Sequence, residues 1–293
     1  MSGAAAADEA LRLCLAGRLP PGVALARLVL AGLPPEEIES RLSALPAGDT
    51  RAAALSRLHR ARYGGMAELR AMLAASGLDH AAAADAPEQA VARVAAAFDR
   101  AVALAPEASV AAYSLNDPAA LAAATAEIVG WVAGQALVGP ERDVLDLGCG
   151  IGRVAAALAP CCRSVLGLDV SPAMVAEARR RHGDGPRLRF AATPGTGLDA
   201  LCDASFDLVL AVDSFPYLVQ AGGTVADRHV ADAARVLRPG GALAILNLSY
   251  RGDPGADRAD AARWAAAGGW KLAADGAPPF ALWDGSAFLL RRP

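Results

Sequence analysis

The spacing of apolar residues divides the chain into two parts. Up to about residue 108, apolar side chains recur three or four positions apart, as Leu11, Leu15 and Leu19 do, which is the spacing of amphipathic helices. Proline pairs at 20–21 and 34–35 mark helix starts, and no stretch alternates as a strand does. The pattern therefore predicts an all-α N-terminal domain over residues 1–108.

From residue 142 onward, short apolar runs alternate with stretches of helical periodicity. The runs cover residues 144–148, 164–170, 188–192, 206–212 and 242–249, and the helical stretches cover 151–161, 172–182 and 225–238. This alternation is typical of a largely parallel sheet with helices on both faces. Two further strands, within 270–276 and 286–292, are expected to pair antiparallel at the sheet edge. We assign residues 109–293 to this α/β domain.

Composition and charge exclude several functional classes. The chain has 293 residues and a formal net charge of -3, which gives no general attraction to nucleic acid. The longest charge-free stretches, Ile128–Pro140 and Ser214–Ala226, hold 13 residues each, fewer than the roughly 18–20 that cross a membrane. The five cysteines show no CxxC spacing, which argues against a disulfide framework and a zinc site. We expect a cytoplasmic protein with no metal, no nucleic-acid partner and no membrane segment.

The segment VLDLGCGIGR at 144–153 carries the clearest functional signal. It joins a buried strand to a helix through a turn with three glycines, and such a turn lets the backbone and the helix N-terminus approach a ligand closely. Asp169 ends the next predicted strand, about 20 residues later, where a carboxylate holds a ribose in nucleotide-binding sheets. Together the turn and the acid indicate an adenosine-containing cofactor.

The residue before the turn helps to select the cofactor. Asp146 lies two positions before Gly148, and a carboxylate there repels a pyrophosphate but suits an ammonium group. S-adenosylmethionine carries an ammonium and a sulfonium and no phosphate. The residues therefore favour this cofactor over a nicotinamide dinucleotide, whose oxidoreductases share the glycine turn and remain an alternative.

Residues 140–250 resemble the class I S-adenosylmethionine-dependent methyltransferases. The resemblance is carried by four segments in order, VLDLGCGIG (144–152), GLDVSPAMVAEAR (167–179), FDLVLAVDSF (206–215) and RVLRPGGALAIL (235–246). It implies an α/β fold with a Rossmann-like, seven-stranded, mostly parallel sheet and helices on both faces, next to the all-α N-terminal domain. That domain is then expected to act as a lid, to select the methyl acceptor or to mediate dimerisation.

The resemblance also implies roles for individual residues. The predicted cofactor-binding residues are Tyr113, Asp146, Gly148, Cys149, Gly150, Asp169, Val170, Met174, Val212 and Asp213. Asp169 would bind the ribose, Val170 and Met174 would flank the adenine, and Tyr113 would close over the cofactor carboxylate, although it could equally be a linker residue. The family's acid after the third strand is missing, because no acid follows before Asp199. The adenine contact is left open between the backbone, Thr193, Thr196 and Asp199.

Three residues are candidates for the catalytic step. His229 could act as a general base with a pKa near neutrality, or it could be an ordinary helix residue. Tyr217 follows the fourth strand and Tyr250 follows the fifth, at the edge where α/β sheets bind ligands, but core packing is the alternative for Tyr217.

These observations predict methyl transfer from S-adenosylmethionine to an O, N, S or C atom of a small-molecule acceptor, with a homodimer as a possible assembly. The alternatives are a non-catalytic S-adenosylmethionine-binding module and a methyltransferase that acts on a protein or a nucleic acid.

Overall fold

The structure, a computed structural model, describes residues 3–77 and 86–293 of the chain. These residues form two compact units, the first with residues 3–77, 100–127 and 280–284 and the second with 86–99, 128–279 and 285–293. Residues 86–99 thus pack with the second unit although they precede the predicted boundary. The boundary at residue 108, and the role of the N-terminal region, stay predictions.

The described residues of the N-terminal region are helical, as predicted. The helices are α1 Gly3–Leu15, α2 Pro21–Leu30, α3 Pro35–Ser43, α4 Thr50–Ala61, α5 Tyr63–Ser76, α6 Pro87–Leu104, α7 Pro106–Val110 and α8 Pro118–Gly134. Local sequence explains their ends. Proline occupies the first turn of α2 and α3. The Asp49 carboxylate accepts hydrogen bonds from two amides at the start of α4, and Gly77 adopts the left-handed conformation that ends α5.

The second unit contains the predicted sheet of seven strands. The strands are β1 Asp143–Leu147, β2 Ser164–Asp169, β3 Leu188–Ala192, β4 Phe206–Val212, β5 Leu237–Leu246, β6 Lys271–Ala277 and β7 Ala287–Arg291. The order is β3-β2-β1-β4-β5-β7-β6, with β1 to β5 parallel and β7 antiparallel to both neighbours. The Rossmann-like sheet and its antiparallel edge pair are therefore confirmed. The remaining helices are α9 Arg153–Leu158, α10 Pro172–His182, α11 Phe215–Gln220, α12 Gly223–Val236 and α13 Pro254–Gly268.

Strand β1 lies at the point where the strand order reverses. It pairs with β2 on one side and with β4 on the other, and every residue of β1 is buried. In such sheets the loops that follow the two central strands diverge and open a crevice at the carboxyl ends of the strands. The glycine turn follows β1, so the fold places it in this crevice.

Two details differ from the predicted pattern. Strand β5 begins at Leu237 rather than at residue 242, because the segment RPGG forms a bulge inside the strand instead of a turn before it. The left-handed φ of +77° at Gly240 accommodates this bulge. Helices α11 and α13 were not predicted, although Asp253 before Pro254 is a helix-start signal and its carboxylate caps α13.

Among the described residues, no helix is both long and apolar enough to cross a membrane.

Gly152 is expected to be required for the stability of the second unit. Its φ is +79°, and a Cβ atom there would lie 2.7 Å from two atoms of the Phe190 ring and 3.0 Å from Cβ of Ala178. We predict that Gly152→Ala lowers the free energy of unfolding by about 1–3 kcal/mol, measured by urea denaturation. Gly139→Ala is the matched control, because its new Cβ would meet only Cγ of Arg142 at 3.8 Å. Equal stability of the two variants would contradict the prediction.

Candidate functional site

The glycine turn folds back onto the end of β2. The amides of Gly148 and Cys149 donate to the carbonyl oxygen of Leu168 over 2.7 and 2.9 Å. Gly148 has a φ of +75°, and a Cβ atom on it would lie 2.2 Å from Cβ of Ser214. Only glycine allows this close approach, which brings the turn next to Asp169 at the end of β2.

Asp169 is 7% exposed and is held by two backbone amides. Its Oδ2 accepts from the amide of Gly150 over 2.8 Å and its Oδ1 accepts from the amide of Ser171 over 2.9 Å. Burial raises the pKa of Asp169 to about 6, although hydrogen bonds from Ser171 and Gly150 oppose the shift. Since a carboxylate has about four acceptor positions and these amides do not fill all of them, acceptor capacity remains for a ribose hydroxyl.

Asp146 in β1 is more deeply buried, at 1% exposure. Its Oδ2 accepts from the amide of Ala155 in α9 over 3.1 Å. Burial raises the pKa of Asp146 to about 7; Arg153 opposes this shift and the charge of Asp169 adds to it. The two buried carboxyl groups are therefore close enough to interact, and a cation bound near both would stabilise their charged forms.

These residues fit S-adenosylmethionine better than a dinucleotide. The amides of Gly148, Cys149 and Gly150 bond to protein oxygens, so the turn does not present them to a pyrophosphate. The two carboxyl groups are suited to an ammonium or sulfonium and to ribose hydroxyls. The Cys149 amide takes part in the turn by donating to the carbonyl oxygen of Leu168, and burial raises the pKa of its thiol well above the usual value.

A second polar cluster lies at the ends of β4 and β5. Asn247 Nδ2 donates to Oδ1 of Asp213 over 2.7 Å, and the Tyr250 hydroxyl donates to the same oxygen over 2.5 Å. Asp213 and Asn247 both have left-handed backbones, with φ of 56° and 70°. Such conformations are uncommon outside glycine and are found preferentially at functional sites. The structure thus joins two residues from the predicted set, Asp213 and Tyr250.

Aromatic rings extend this cluster. The Tyr217 ring lies edge-on to the Tyr250 ring at 5.8 Å between centroids and edge-on to the Phe98 ring at 5.1 Å. Burial and the negative charge of Asp213 raise the pKa of Tyr217 above the usual range, and the adjacent charge of Asp213 raises the pKa of Tyr250. Both tyrosines therefore keep their protons at neutral pH, and their catalytic role stays a prediction.

His229 and Tyr113 are not brought into these clusters by any described contact. His229 on α12 is 2% exposed, its Nδ1 donates to the carbonyl of Val225 over 2.8 Å, and burial lowers its pKa. Tyr113 belongs to the first unit, where its ring stacks on Trp283 at 6.0 Å between centroids. Their roles stay predictions.

The remaining predicted cofactor residues lie beside the turn or at strand ends. Val170 and Met174 follow β2, and Val212 ends β4, next to Asp213. Asp199, the first acid after β3, is exposed, and its carboxylate accepts a hydrogen bond from Arg228. The adenine contact stays open between the backbone, Thr193, Thr196 and Asp199.

Sequence reasoning missed three residues that support the site. Ser214 follows Asp213, and its hydroxyl donates to the carbonyl of Leu147 over 2.5 Å, which fastens the end of β4 to the end of β1. Ser171 caps α10 by accepting from the amide of Met174, and its position before Pro172 was an available signal. Asp99 binds Ser171 from 72 positions away, and nothing local in the sequence marks it.

No group of three or more His, Cys, Asp or Glu side chains in the described part of the chain is arranged to hold a metal.

Comparison with known proteins identifies the central segment. Residues 144–241 match the family described as a methyltransferase domain. A methyltransferase, GfsG, of Streptomyces halstedii is 37% identical over 119 residues, which are 39% of this chain and 41% of that protein. A demethylmenaquinone methyltransferase of Tropheryma whipplei is 33% identical over 109 residues, 37% of this chain and 43% of that protein. The chain thus spans less than half the length of these relatives.

A solved structure extends the likeness in fold. It is phosphoethanolamine N-methyltransferase 1 of Haemonchus contortus in complex with phosphoethanolamine and S-adenosylhomocysteine. The TM-score is 0.54 at 16% identity, and the likeness covers 70% of this chain and 48% of that chain. At this identity the comparison supports the fold and not the acceptor.

The buried acids are expected to make the ligand-free protein less stable as pH rises. The pKa values of Asp146 and Asp169 are about 7 and about 6 in the folded state, above their unfolded values. The folded state therefore binds more protons between pH 4 and 7, and the free energy of unfolding falls across this interval. We predict that Asp146→Asn reduces this fall by at least about 1 kcal/mol, measured by urea denaturation at several pH values.

Asp203→Asn is the control for this experiment, because the Asp203 side chain is exposed and pairs with Arg235 at the surface. Its pH profile should match that of the wild type. The same profile in Asp146→Asn would show that the pKa of Asp146 is not raised.

Proposed function

We propose that this chain, which carries a class I S-adenosylmethionine-dependent methyltransferase domain, binds S-adenosylmethionine and transfers its methyl group to a nucleophilic O, N, S or C atom of a small molecule. The observation that carries the proposal is the pair of buried carboxyl groups, Asp146 and Asp169, on either side of the glycine turn. They offer negative charge and acceptor atoms where a dinucleotide would need donors.

Binding is assigned to residues of the crevice. Asp169 accepts from the ribose hydroxyls, and Asp146 lies on the side of the turn where the ammonium group of the methionine part is expected. Gly148 and Gly150 let the backbone approach the cofactor, because a side chain at Gly148 would collide with Ser214. When bound, the cofactor supplies an electrophilic methyl group, so the protein's task is to orient the acceptor and to exclude water.

Asp213 is the residue best placed to meet the acceptor. It follows β4 at the carboxyl edge, and donors from Asn247 and Tyr250 fix the orientation of its carboxylate. An O–H or N–H acceptor loses a proton during methylation, and Asp213 can accept it. Tyr217 and Tyr250 then form the walls of the acceptor site, while neither His229 nor the tyrosines are needed as bases.

The ion pairs of the basic residues favour a small-molecule acceptor over a nucleic acid. The arginine run on α10 is partly neutralised within the protein: Arg180 and Arg181 share Glu177, and Arg179 pairs with Asp184. The chain has no excess of positive charge. One relative is named for a small-molecule substrate, demethylmenaquinone, and another for ribosomal RNA, so the preference for a small molecule rests on the charge of this chain.

Calorimetry tests the cofactor assignment directly. We predict that the wild type binds S-adenosylmethionine and S-adenosylhomocysteine but not NAD, and that Asp169→Ala weakens binding of both adenosyl ligands by more than about tenfold, because the ribose loses a charged acceptor. Asp203→Ala, at the surface, should bind as the wild type does. Equal or tighter binding of NAD would overturn the cofactor assignment, and unchanged affinity in Asp169→Ala would overturn the ribose contact.

The role of Asp213 is tested once an acceptor is found. Labelled-methyl S-adenosylmethionine is incubated with the low- and high-molecular-mass fractions of a cell extract, and label in the low-mass fraction is expected. With that acceptor, Asp213→Asn should lower kcat by about 100-fold or more, because the amide cannot take the proton. Asp203→Asn should keep the wild-type kcat. Label confined to protein or RNA would contradict the small-molecule proposal, and an unchanged kcat in Asp213→Asn would contradict its role.

A further inference from the structure

Residues 87–99 of helix α6 pack on the second unit beside both candidate clusters. Ala90 and Val91 of α6 form an apolar cluster with Ala221 and Val225, and the half-buried Val170 packs against it. Val170 is a predicted adenine neighbour and follows Asp169 directly. This part of α6 therefore covers the loop at the end of β2.

The turn after β3 is shaped by the same contact. Gly195 has a φ of +75°, and a Cβ atom there would lie 2.3 Å from Cγ1 of Val170 and 2.8 Å from Cγ1 of Val91. Only a glycine fits between the two valines. The amide of Thr193 in this turn donates to the carbonyl of Asp169 over 2.9 Å, so the turn, the loop and α6 form one packed group.

Asp99, two turns further along α6, binds the loop through polar contacts. Its Oδ1 accepts from the Ser171 hydroxyl over 2.6 Å and from the amide of Ala173 over 3.0 Å. Ser171 in turn caps α10 by accepting from the amide of Met174 over 3.1 Å. A carboxylate from α6 thus completes the first turn of α10, where the backbone amides concentrate positive charge.

The loop that Asp99 holds is the one that positions Asp169. The Ser171 amide donates to Asp169, while the Ser171 hydroxyl donates to Asp99. The negative charge of Asp99 also contributes to the raised pKa of Asp169. Ser171 therefore connects Asp169, the residue proposed to bind the ribose, with helix α6.

The neighbouring residue on α6 reaches the acceptor cluster. The Phe98 ring contacts the Tyr217 ring edge-on, and Tyr217 contacts Tyr250, whose hydroxyl binds Asp213. Residues 98 and 99 of one helix thus contact both the cofactor loop and the acceptor walls.

We propose that Asp99 is a positioning residue that fastens helix α6 to the ribose-binding loop, so that cofactor binding fixes the α6 wall of the acceptor site. The inference rests on the proposed function. Asp99 preorganises the loop before the cofactor arrives, which lowers the ordering cost of binding. By thermodynamic reciprocity, a contact that strengthens cofactor binding must itself be strengthened by the cofactor.

The test measures S-adenosylhomocysteine affinity by calorimetry and amide hydrogen exchange of residues 87–99 with and without this ligand. In the wild type, the ligand should slow exchange in 87–99. Asp99→Ala should weaken affinity by about 5- to 20-fold and abolish the ligand's effect on these amides. Asp99→Asn should restore both to within about threefold of the wild type, because its Oδ1 still accepts from Ser171 and Ala173.

Ser171→Ala provides a second route if Asp99→Ala unfolds. On its own this variant removes the Ser171–Asp99 hydrogen bond, so it should also weaken affinity and reduce the ligand's effect on exchange in 87–99. If Asp99→Ala folds, the loss in affinity of the double variant should be smaller than the product of the two single losses, since the two substitutions remove the same hydrogen bond. Asp49→Ala is the matched control: it removes a carboxylate that accepts from two amides at the start of α4, and should bind as the wild type does.

The outcomes separate the two proposals. A wild type that binds neither S-adenosylmethionine nor S-adenosylhomocysteine contradicts the proposed function. A wild type that binds while Asp99→Ala keeps full affinity and the same exchange response contradicts the role of Asp99. Equal losses in Asp99→Asn and Asp99→Ala would also contradict it, because the hydrogen bonds would then not be the cause.

Discussion

Burying a carboxyl group costs free energy unless hydrogen bonds or an opposite charge compensate for the lost water. At its crevice the second unit buries two, Asp146 and Asp169, on the adjacent strands β1 and β2. Backbone amides from Ala155, Gly150 and Ser171 compensate in part, yet both pKa values stay raised. A ligand that brings positive charge and hydroxyl donors removes the rest of the penalty. On the proposed function, the cost of burying these acids in the free protein therefore contributes to selectivity for a cationic cofactor.

The fold supplies this arrangement through a few backbone contacts around β1. Because β1 pairs with both β2 and β4, the turn that follows it meets the end of each. It bonds to Leu168 on one side and leaves no room for a side chain beside Ser214 on the other. Ser214 is adjacent to Asp213, so the close approach at Gly148 also sets the distance between the turn and the cluster of Asp213, Asn247 and Tyr250. A shift of the turn would disturb both halves of the site.

Local signals made the sheet and the two acids predictable from the sequence. Strand periodicity, the glycine turn and the acid at residue 169 each depend on residues within one βαβ unit. The contacts that could not be predicted join distant segments: Asp99 with Ser171, Phe98 with Tyr217, and Asp199 with Arg228. The predicted base His229 illustrates the same limit. Its residue type suggested a role, but the packing of α12 decides its burial and its lowered pKa.

Helix α6 links the two halves of the site because a helix is rigid over a few turns, so a displacement at one contact moves the other. Val91 and Asp99 lie about 12 Å apart along the axis, at about 1.5 Å per residue, and both contact the cofactor loop or its neighbours. Phe98, beside Asp99, contacts the acceptor side. On the proposed function, Asp169 binds the ribose, which methyl transfer leaves unchanged. The loop that Asp99 holds therefore keeps its ligand contact in the product complex, and the link from this loop to α6 does not depend on the sulfonium charge.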